Sequence, residues 1–267
     1  MSKIEHLTDR AVLRLSGDDR RAFLQGLITQ DISQRPESSA IFASLLTPQG
    51  KILFDFFVLE TVDDFLIDCH KDAAPALLKR LSLYKLRAKV SISEVSALSV
   101  LASEHEITKY TSYADPRLTE LGWRAITTDY DEAVPGDYAS RRIALGVPEF
   151  GADFTSDEVF LTDVNYDCLN GVSYKKGCFI GQEVTSRMKR KGDIRRRTLV
   201  AEFEGAPPEK GAAVTAGAST LGEILSSAGN IALAQIRLDR LEKAQAEQTL
   251  INSGDQPLHL RFPDYLK

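Results

Sequence analysis

Tyr174-Lys-Lys-Gly-Cys-Phe-Ile-Gly-Gln-Glu-Val-Thr-Ser-Arg187 places one cysteine, two glycines, two lysines, an amide, a carboxylate and an arginine within fourteen residues. A thiol becomes a nucleophile or a metal ligand when cations or helix N-terminal amides stabilise its thiolate. Lys175 and Lys176 adjoin Cys178 in this way. Gly177 and Gly181 let the backbone approach a ligand closely. The same features describe a buried cysteine in a glycine-defined turn, and the residues alone leave both readings open. Cys–His catalysis would need a histidine, and His6, His70, His105 and His259 all lie far off in sequence.

Working outward, the 267 residues suffice for two or three domains with a real core. Three cysteines (Cys69, Cys168, Cys178) are odd in number and lack paired spacing, which speaks against a disulfide framework and for a reducing, cytoplasmic setting. No Cys-x-x-Cys, His-x-x-x-His or acidic loop occurs, so no metal is expected to be held by one chain. No run approaches the roughly 18 apolar residues of a membrane span. The net charge of -5 argues against bulk nucleic-acid affinity. Between Lys175 and Arg197, however, nine Lys or Arg face only two acids, Glu183 and Asp193. Such a run suits a polyanionic substrate tail or RNA phosphate, and equally a solvated surface. It has no aromatic interleaving for base stacking.

Residues 11–15 read as a short strand, followed by a helix capped at Asp18 or Asp19 in which Phe23, Leu24, Leu27 and Ile28 share a face. Residues 40–46 and 51–59 read as a hairpin about the turn Thr47-Pro-Gln-Gly50. Residues 65–69 give a further strand, and Ala74, Leu77, Leu78, Leu81 and Tyr84 recur at helix spacing. Strands return near residues 89–93 and 98–101, and a short helix over 139–145 stops at Gly146 and Pro148. From about residue 195, short strands at 198–203, 213–215, 221–225 and 231–236 are punctuated by glycine and proline, which predicts a small β-barrel or sandwich. Hairpins outnumber βαβ units, so the fold class is α+β.

Asp55 is the only charged residue of Ile52-Leu-Phe-Asp-Phe-Phe-Val-Leu59. A carboxylate with apolar neighbours on both strand faces is a candidate proton acceptor or hydrogen-bonding anchor. A strand-end aspartate turned to water fits the same pattern.

Lys176-Gly-Cys-Phe-Ile-Gly-Gln-Glu183 closely resembles the signature of the YgfZ family, Lys-Gly-Cys-Tyr-x-Gly-Gln-Glu. Asn170-Gly-Val-Ser-Tyr174 fits the lead-in and Arg187 the arginine that follows. Gly17-Asp18, Phe23-Leu-Gln-Gly26, Thr29-Gln-Asp31, Leu46-Thr-Pro-Gln-Gly-Lys51, Tyr84-Lys-Leu-Arg87, Gly222-Glu-Ile, Ala232-Leu-Ala and Ile236-Arg-Leu-Asp239 extend the resemblance along nearly the whole chain. It implies a glycine cleavage T-protein-like fold: a folate-binding α+β region over residues 1–192, of two lobes, closed by a C-terminal β-barrel over 195–267. It implies binding of tetrahydrofolate or a derivative and service to iron–sulfur assembly or client proteins, tRNA-modifying enzymes among them, with tRNA itself an indirect partner. Cys178 is then the functional thiol. Lys176, Gly177, Gly181, Gln182, Glu183 and Arg187, with Asp163 and Asn165 upstream, are then the folate-binding residues. Asp163 stands where relatives place a glutamate. Ala144 replaces a second T-protein acid, and the T-protein's Asp-Asp pair falls on Phe54-Asp55, which keeps one acid. Folate-dependent aminomethyl transfer with Asp55 as base, and direct tRNA binding, are the alternatives.

Overall fold

The structure is a computed structural model that describes residues 3–33, 39–128, 130, 136–192 and 194–267, Lys191 by its backbone only. The chain folds as two units, residues 1–138 with 169–184, and residues 139–168 with 185–267.

In the first unit, β1 (Ile4–His6), β2 (Arg10–Ser16), α1 (Arg20–Gln25), β3 (Ala40–Leu46), β4 (Ile52–Glu60), β5 (Asp64–His70), α2 (Ala74–Tyr84), β6 (Ser91–Glu94), β7 (Ser99–Ser103), β8 (Ser112–Ala114) and β9 (Trp123–Thr127) follow in order. They make two antiparallel sheets, β3-β4-β5-β2-β6 and β1-β7-β9-β8. The expected hairpin is present, with Ala40 opposite Leu59 and Leu45 opposite Phe54. Its turn closes through the Gly50 N–H to Thr47 O at 2.9 Å, with Gly50 at φ +85°. α2 buries Ala74, Leu77 and Leu81, with Leu78 and Tyr84 half-buried beside them. Val12, Ala40, Leu59, Val100, Ala102 and Ile126 form a core that draws on both sheets.

α1 departs from the expectation. It ends at Gln25, before Leu27 and Ile28, because the Thr29 N–H bonds Ser44 O at 3.0 Å and Ile28 bridges to Leu45 of the sheet. Asp19 holds the N-cap position without capping; its carboxylate accepts the Lys89 N–H at 2.7 Å instead.

α3 (Tyr138–Ala144) leads into the second unit, and α4 (Gln182–Lys191) leads back into it. There follow β10 (Arg196–Glu202), β11 (Ala213–Ala216), β12 (Ser219–Ala228), β13 (Ile231–Arg237), α5 (Leu238–Ala246), β14 (Ile251–Ser253), β15 (Gln256–Pro257) and β16 (His259–Arg261). Seven strands form one antiparallel sheet of order β15-β14-β11-β12-β13-β10-β16 around Leu199, Ala201, Val214, Leu221, Ile224, Ala234 and Ile236. α5 closes on that core through Leu241 and Ala244. Residues 139–168 group with this barrel in one compact unit, and residues 169–184 group with the first. At Gly146, φ is +78° and a Cβ would stand 2.3 Å from Pro263 Cγ. Arg142 joins Asp153 at 2.6 Å and Ser226 Oγ at 3.2 Å.

The first unit also buries a group of charges. Arg10 and Arg124 both meet Asp68, at 2.6 and 2.9 Å, and Arg117 meets Asp115 at 2.8 Å. Arg117 and Arg124 share the Tyr138 hydroxyl, at 2.6 and 3.2 Å. All three guanidiniums lie within 4.2 to 5.6 Å of the Phe57 ring centroid. Burying such pairs is costly, but removing one partner strands the other. Arg124→Met should lower stability by about 3–5 kcal/mol in chemical denaturation, whereas the exposed Lys79→Met should leave it unchanged.

Candidate functional site

The signature loop is fixed to the first unit by one side chain. Lys176 is buried, and its Nζ donates to the carbonyls of Gln25 at 2.8 Å, Ile28 at 2.5 Å and Gln30 at 3.0 Å. An ammonium has three donors, so this set is filled. Nζ also lies 5.5 Å from the Phe179 ring centroid. Burial pulls the Lys176 pKa from 10.5 down to about 8, against the opposing pull of the Asp31 carboxylate. Just upstream, Thr29 Oγ1 donates to Gly171 O at 2.6 Å, the Ser173 N–H donates to Thr29 O at 3.0 Å, and Gln30 Nε2 donates to Asn170 O at 2.6 Å. Residues 170–176 are thus laced to residues 25–30.

Beyond the clamp, Gly177 and Cys178 are exposed, Phe179 is buried, and the Gln182 N–H returns to Phe179 O at 3.2 Å as α4 begins. Cys178 therefore presents a free thiol between two anchors. Gly181 is demanded by geometry: φ is +79°, and a Cβ there would lie 2.7 Å from Thr47 O and 3.1 Å from Gly50 Cα. Gly50 returns the constraint, since its own Cβ would lie 3.1 Å from Val184. Gly177 has no such demand, with nothing within 4 Å of a Cβ. Gln182 is half-buried and Glu183 exposed on the first turn of α4.

Asp55 lies in mid-strand on β4, an inner strand of the five-stranded sheet, and is 5% exposed. The strand-end reading therefore does not hold. Asp55 stands opposite Ser44, and by alternation shares its face with Phe57, over which the arginines stack. The Ser44 Oγ is buried without a partner among the described residues. Cys69 is inert by contrast: burial pushes its thiol up to about 12, with Asp68 and Asp55 adding to the rise.

Asp163, Asn165 and Arg187 belong to the second unit. Asp163 is buried and its Oδ2 accepts the Phe160 N–H at 3.0 Å, so one oxygen serves its own turn. Asn165 is wholly buried at φ +62°, and Nδ2 donates to Thr198 O at 2.8 Å and to the Tyr265 hydroxyl at 3.0 Å. Its Oδ1 is buried without a partner among the described residues. Arg187 is exposed on α4. The basic run is not one surface: Lys176 is internal, and Arg197 is buried against Asp167 at 2.5 and 2.9 Å. Asp193, its second acid, lies outside the described residues. Among the described residues no three His, Cys, Asp or Glu gather as a metal site.

Sequence reasoning passed over the acceptors of Lys176, which are backbone carbonyls and leave no mark on residue type. It also passed over Arg10, Asp68 and Arg124, charged residues inside apolar strands, which were visible.

Residues 195–267 match the family described as the CAF17 C-terminal beta-barrel domain. Human "Iron-sulfur cluster assembly factor IBA57, mitochondrial" is 32% identical, over 88% of this chain and 78% of that protein. The chain belongs to the IBA57 family of iron–sulfur cluster assembly factors. The mouse IBA57 protein is 31% identical with the same coverage, and the Neurospora crassa homologue 30% identical over 76% of this chain and 54% of that protein. The fold is that of the glycine cleavage T-protein: the crystal structure of the aminomethyltransferase T of Bartonella henselae superposes with a TM-score of 0.75 at 13% identity, covering 100% of this chain and 86% of that one. YgfZ is a family related to IBA57. The expected cytoplasmic setting is corrected by these relatives, which are named mitochondrial. Unpaired cysteines report reducing conditions, and that is not a property of one compartment.

Lys176→Met should cost about 1–3 kcal/mol by leaving buried carbonyls unpaired. Folding lowers the Lys176 pKa, so between about pH 8 and 10.5 the unfolded chain binds more protons than the folded one. Wild type should therefore gain stability over Lys176→Met as pH rises through that window and not below it, as read by urea denaturation. Gly181→Ala, combining positive φ with the Thr47 overlap, should cost roughly 1–3 kcal/mol.

Proposed function

We propose that the chain binds tetrahydrofolate or a derivative and serves iron–sulfur cluster assembly or repair, with Cys178 as its functional thiol. The observation that carries the reading is an exposed cysteine held just past a filled lysine clamp, in a chain of the IBA57 family. A thiolate is both nucleophile and iron ligand. Clusters are usually held by four thiolates, so one thiol would complete a set begun by another protein. Client enzymes, tRNA-modifying ones included, are the expected beneficiaries.

For the folate, the residues fit in part. Lys176 has its three donors spent on carbonyls, and Asp163 gives one oxygen to its own turn. Buried polar atoms without protein partners remain in each unit, Ser44 Oγ beside Asp55 in the first and Asn165 Oδ1 in the second. The Ser44 hydroxyl, which can both donate and accept, suits the N–H and carbonyl edge of a pterin bound in the first unit. When bound, the folate would supply one-carbon chemistry; Asp55 would orient its ring.

The burial of Asp55 on an inner strand favours a second reading, a folate-dependent one-carbon transferase with Asp55 as base. Direct tRNA binding is weaker, since two cations of the basic run are internal.

Tetrahydrofolate titration of wild type and Cys178→Ala, paired with complementation of a deletion strain, tests the proposal. Both proteins should bind folate, and only wild type should restore iron–sulfur enzyme activity. Full restoration by Cys178→Ala would remove the thiol from the mechanism. Methylenetetrahydrofolate formed from an aminomethyl donor would establish the transferase reading instead.

A further inference from the structure

Five large apolar side chains are exposed among the described residues, and three of them gather at one end of the five-stranded sheet: Val62 at 86%, Leu83 at 62% and Leu86 at 89%. Ser16 pairs with both Asp64 and Ser91, so the β4–β5 turn, the segment after β2 and the α2–β6 loop all emerge there. These segments are joined. Arg20 donates to Val62 O at 3.3 Å, and the Lys89 N–H donates to Asp19 at 2.7 Å. A Cβ on Gly17 would stand 2.1 Å from Lys89 O.

Leu86 is out of place by the rules of local folding. It follows the C-cap of α2, Lys85, at φ +43°, in a turn closed by the Ala88 N–H to Lys85 O at 2.7 Å. Glycine is the residue that such a position favours, because a side chain meets its own backbone there. Leucine strains the turn and, at 89% exposure, gains no packing in return. The fold has no use for it.

Its surroundings are strongly basic. Residues 79–89 contain Lys79, Arg80, Lys85, Arg87 and Lys89 and no acid, in a chain of net charge -5. None of these five side chains forms an ion pair among the described residues. At the other tip, Val62 is followed by Asp63 and by Asp64, the second paired with Arg14 at 3.3 Å, so that Asp63 sets the sign there. A flat anionic bilayer meeting both tips would be attracted at one and repelled at the other. A shaped protein surface can answer each with its opposite charge.

We propose that this end of the first unit is a docking surface for an acidic partner protein, with Leu86 as the apolar anchor entering a hollow rimmed by carboxylates. The partner is an iron–sulfur protein that the chain serves, so the inference rests on the function proposed above. An anchor of this size is worth about tenfold in affinity, and the surrounding cations accelerate encounter in a salt-dependent way.

Leu86→Gly separates docking from folding, because glycine suits the backbone at that position. Its melting temperature should equal or exceed that of wild type. Its affinity for a purified iron–sulfur enzyme whose activity wild type restores should fall about tenfold. The double variant Lys85→Glu, Arg87→Glu should lose more, and the wild-type interaction should weaken with added salt. Undiminished affinity in both variants would overturn the proposal. So would flotation of wild type, but not Leu86→Gly, with phosphatidylcholine–phosphatidylserine vesicles, which would assign the surface to a membrane. Tetrahydrofolate titration is run on every variant. Loss of folate binding in wild type would sink the folate reading while leaving the docking result to stand.

Discussion

The Lys176 ammonium reaches the carbonyls of Gln25, Ile28 and Gln30, and with that contact a segment from late in the chain is bound to one from its start. Without a hydrogen-bond donor there, carbonyls of this buried space would be left unpaired. The clamp also accounts for the early end of α1. The Gln25 carbonyl, freed from the helical ladder when the Thr29 N–H turns to Ser44, finds its partner in Nζ. Helix stop, strand bridge and signature loop are therefore one arrangement.

The first unit repeats this use of cations where a hydrocarbon core would be simpler. Arg10, Arg117 and Arg124 stack on Phe57 while their edges meet Asp68 and Asp115. Buried pairs of this kind add little net stability over apolar residues of equal volume. What they supply is directional: Asp68 on β5 is joined to Arg10 on β2 and to Arg124 on β9, so one carboxylate ties three strands. Asp55 shares the Phe57 face of the sheet.

The strands, the hairpin turn and α2 were legible because each is written in local terms: an apolar run for β4, proline and glycine for the 47–50 turn, and a three-to-four spacing for Ala74, Leu77 and Leu81. α5 was legible too, from Leu238, Leu241 and Ala244, but sat among strand signals that took precedence. Residues 139–168 could not be assigned from sequence, because their membership in the barrel unit depends on contacts such as Gly146 with Pro263, made more than a hundred residues apart. The signature loop was found by its residue types, yet those types misdirected the roles. Lys176 drew notice as a charge for a ligand, and its acceptors are main-chain groups that any sequence has. Gly177 and Gly181 look alike in sequence, and only the closeness of Thr47 makes one of them obligatory.

The division of labour within the loop bears on what Cys178 does. A nucleophilic cysteine of the protease kind needs a base held beside it, and no histidine flanks the loop in sequence. A structural cysteine would be buried as Cys69 is, with its thiol raised to about 12. Cys178 matches neither pattern: it is exposed, and the residues on either side of it, Lys176 and Phe179, are the ones held down. Under the proposed role of Cys178, a loop stiffened around an exposed thiol would lower the entropy lost when a second protein engages it.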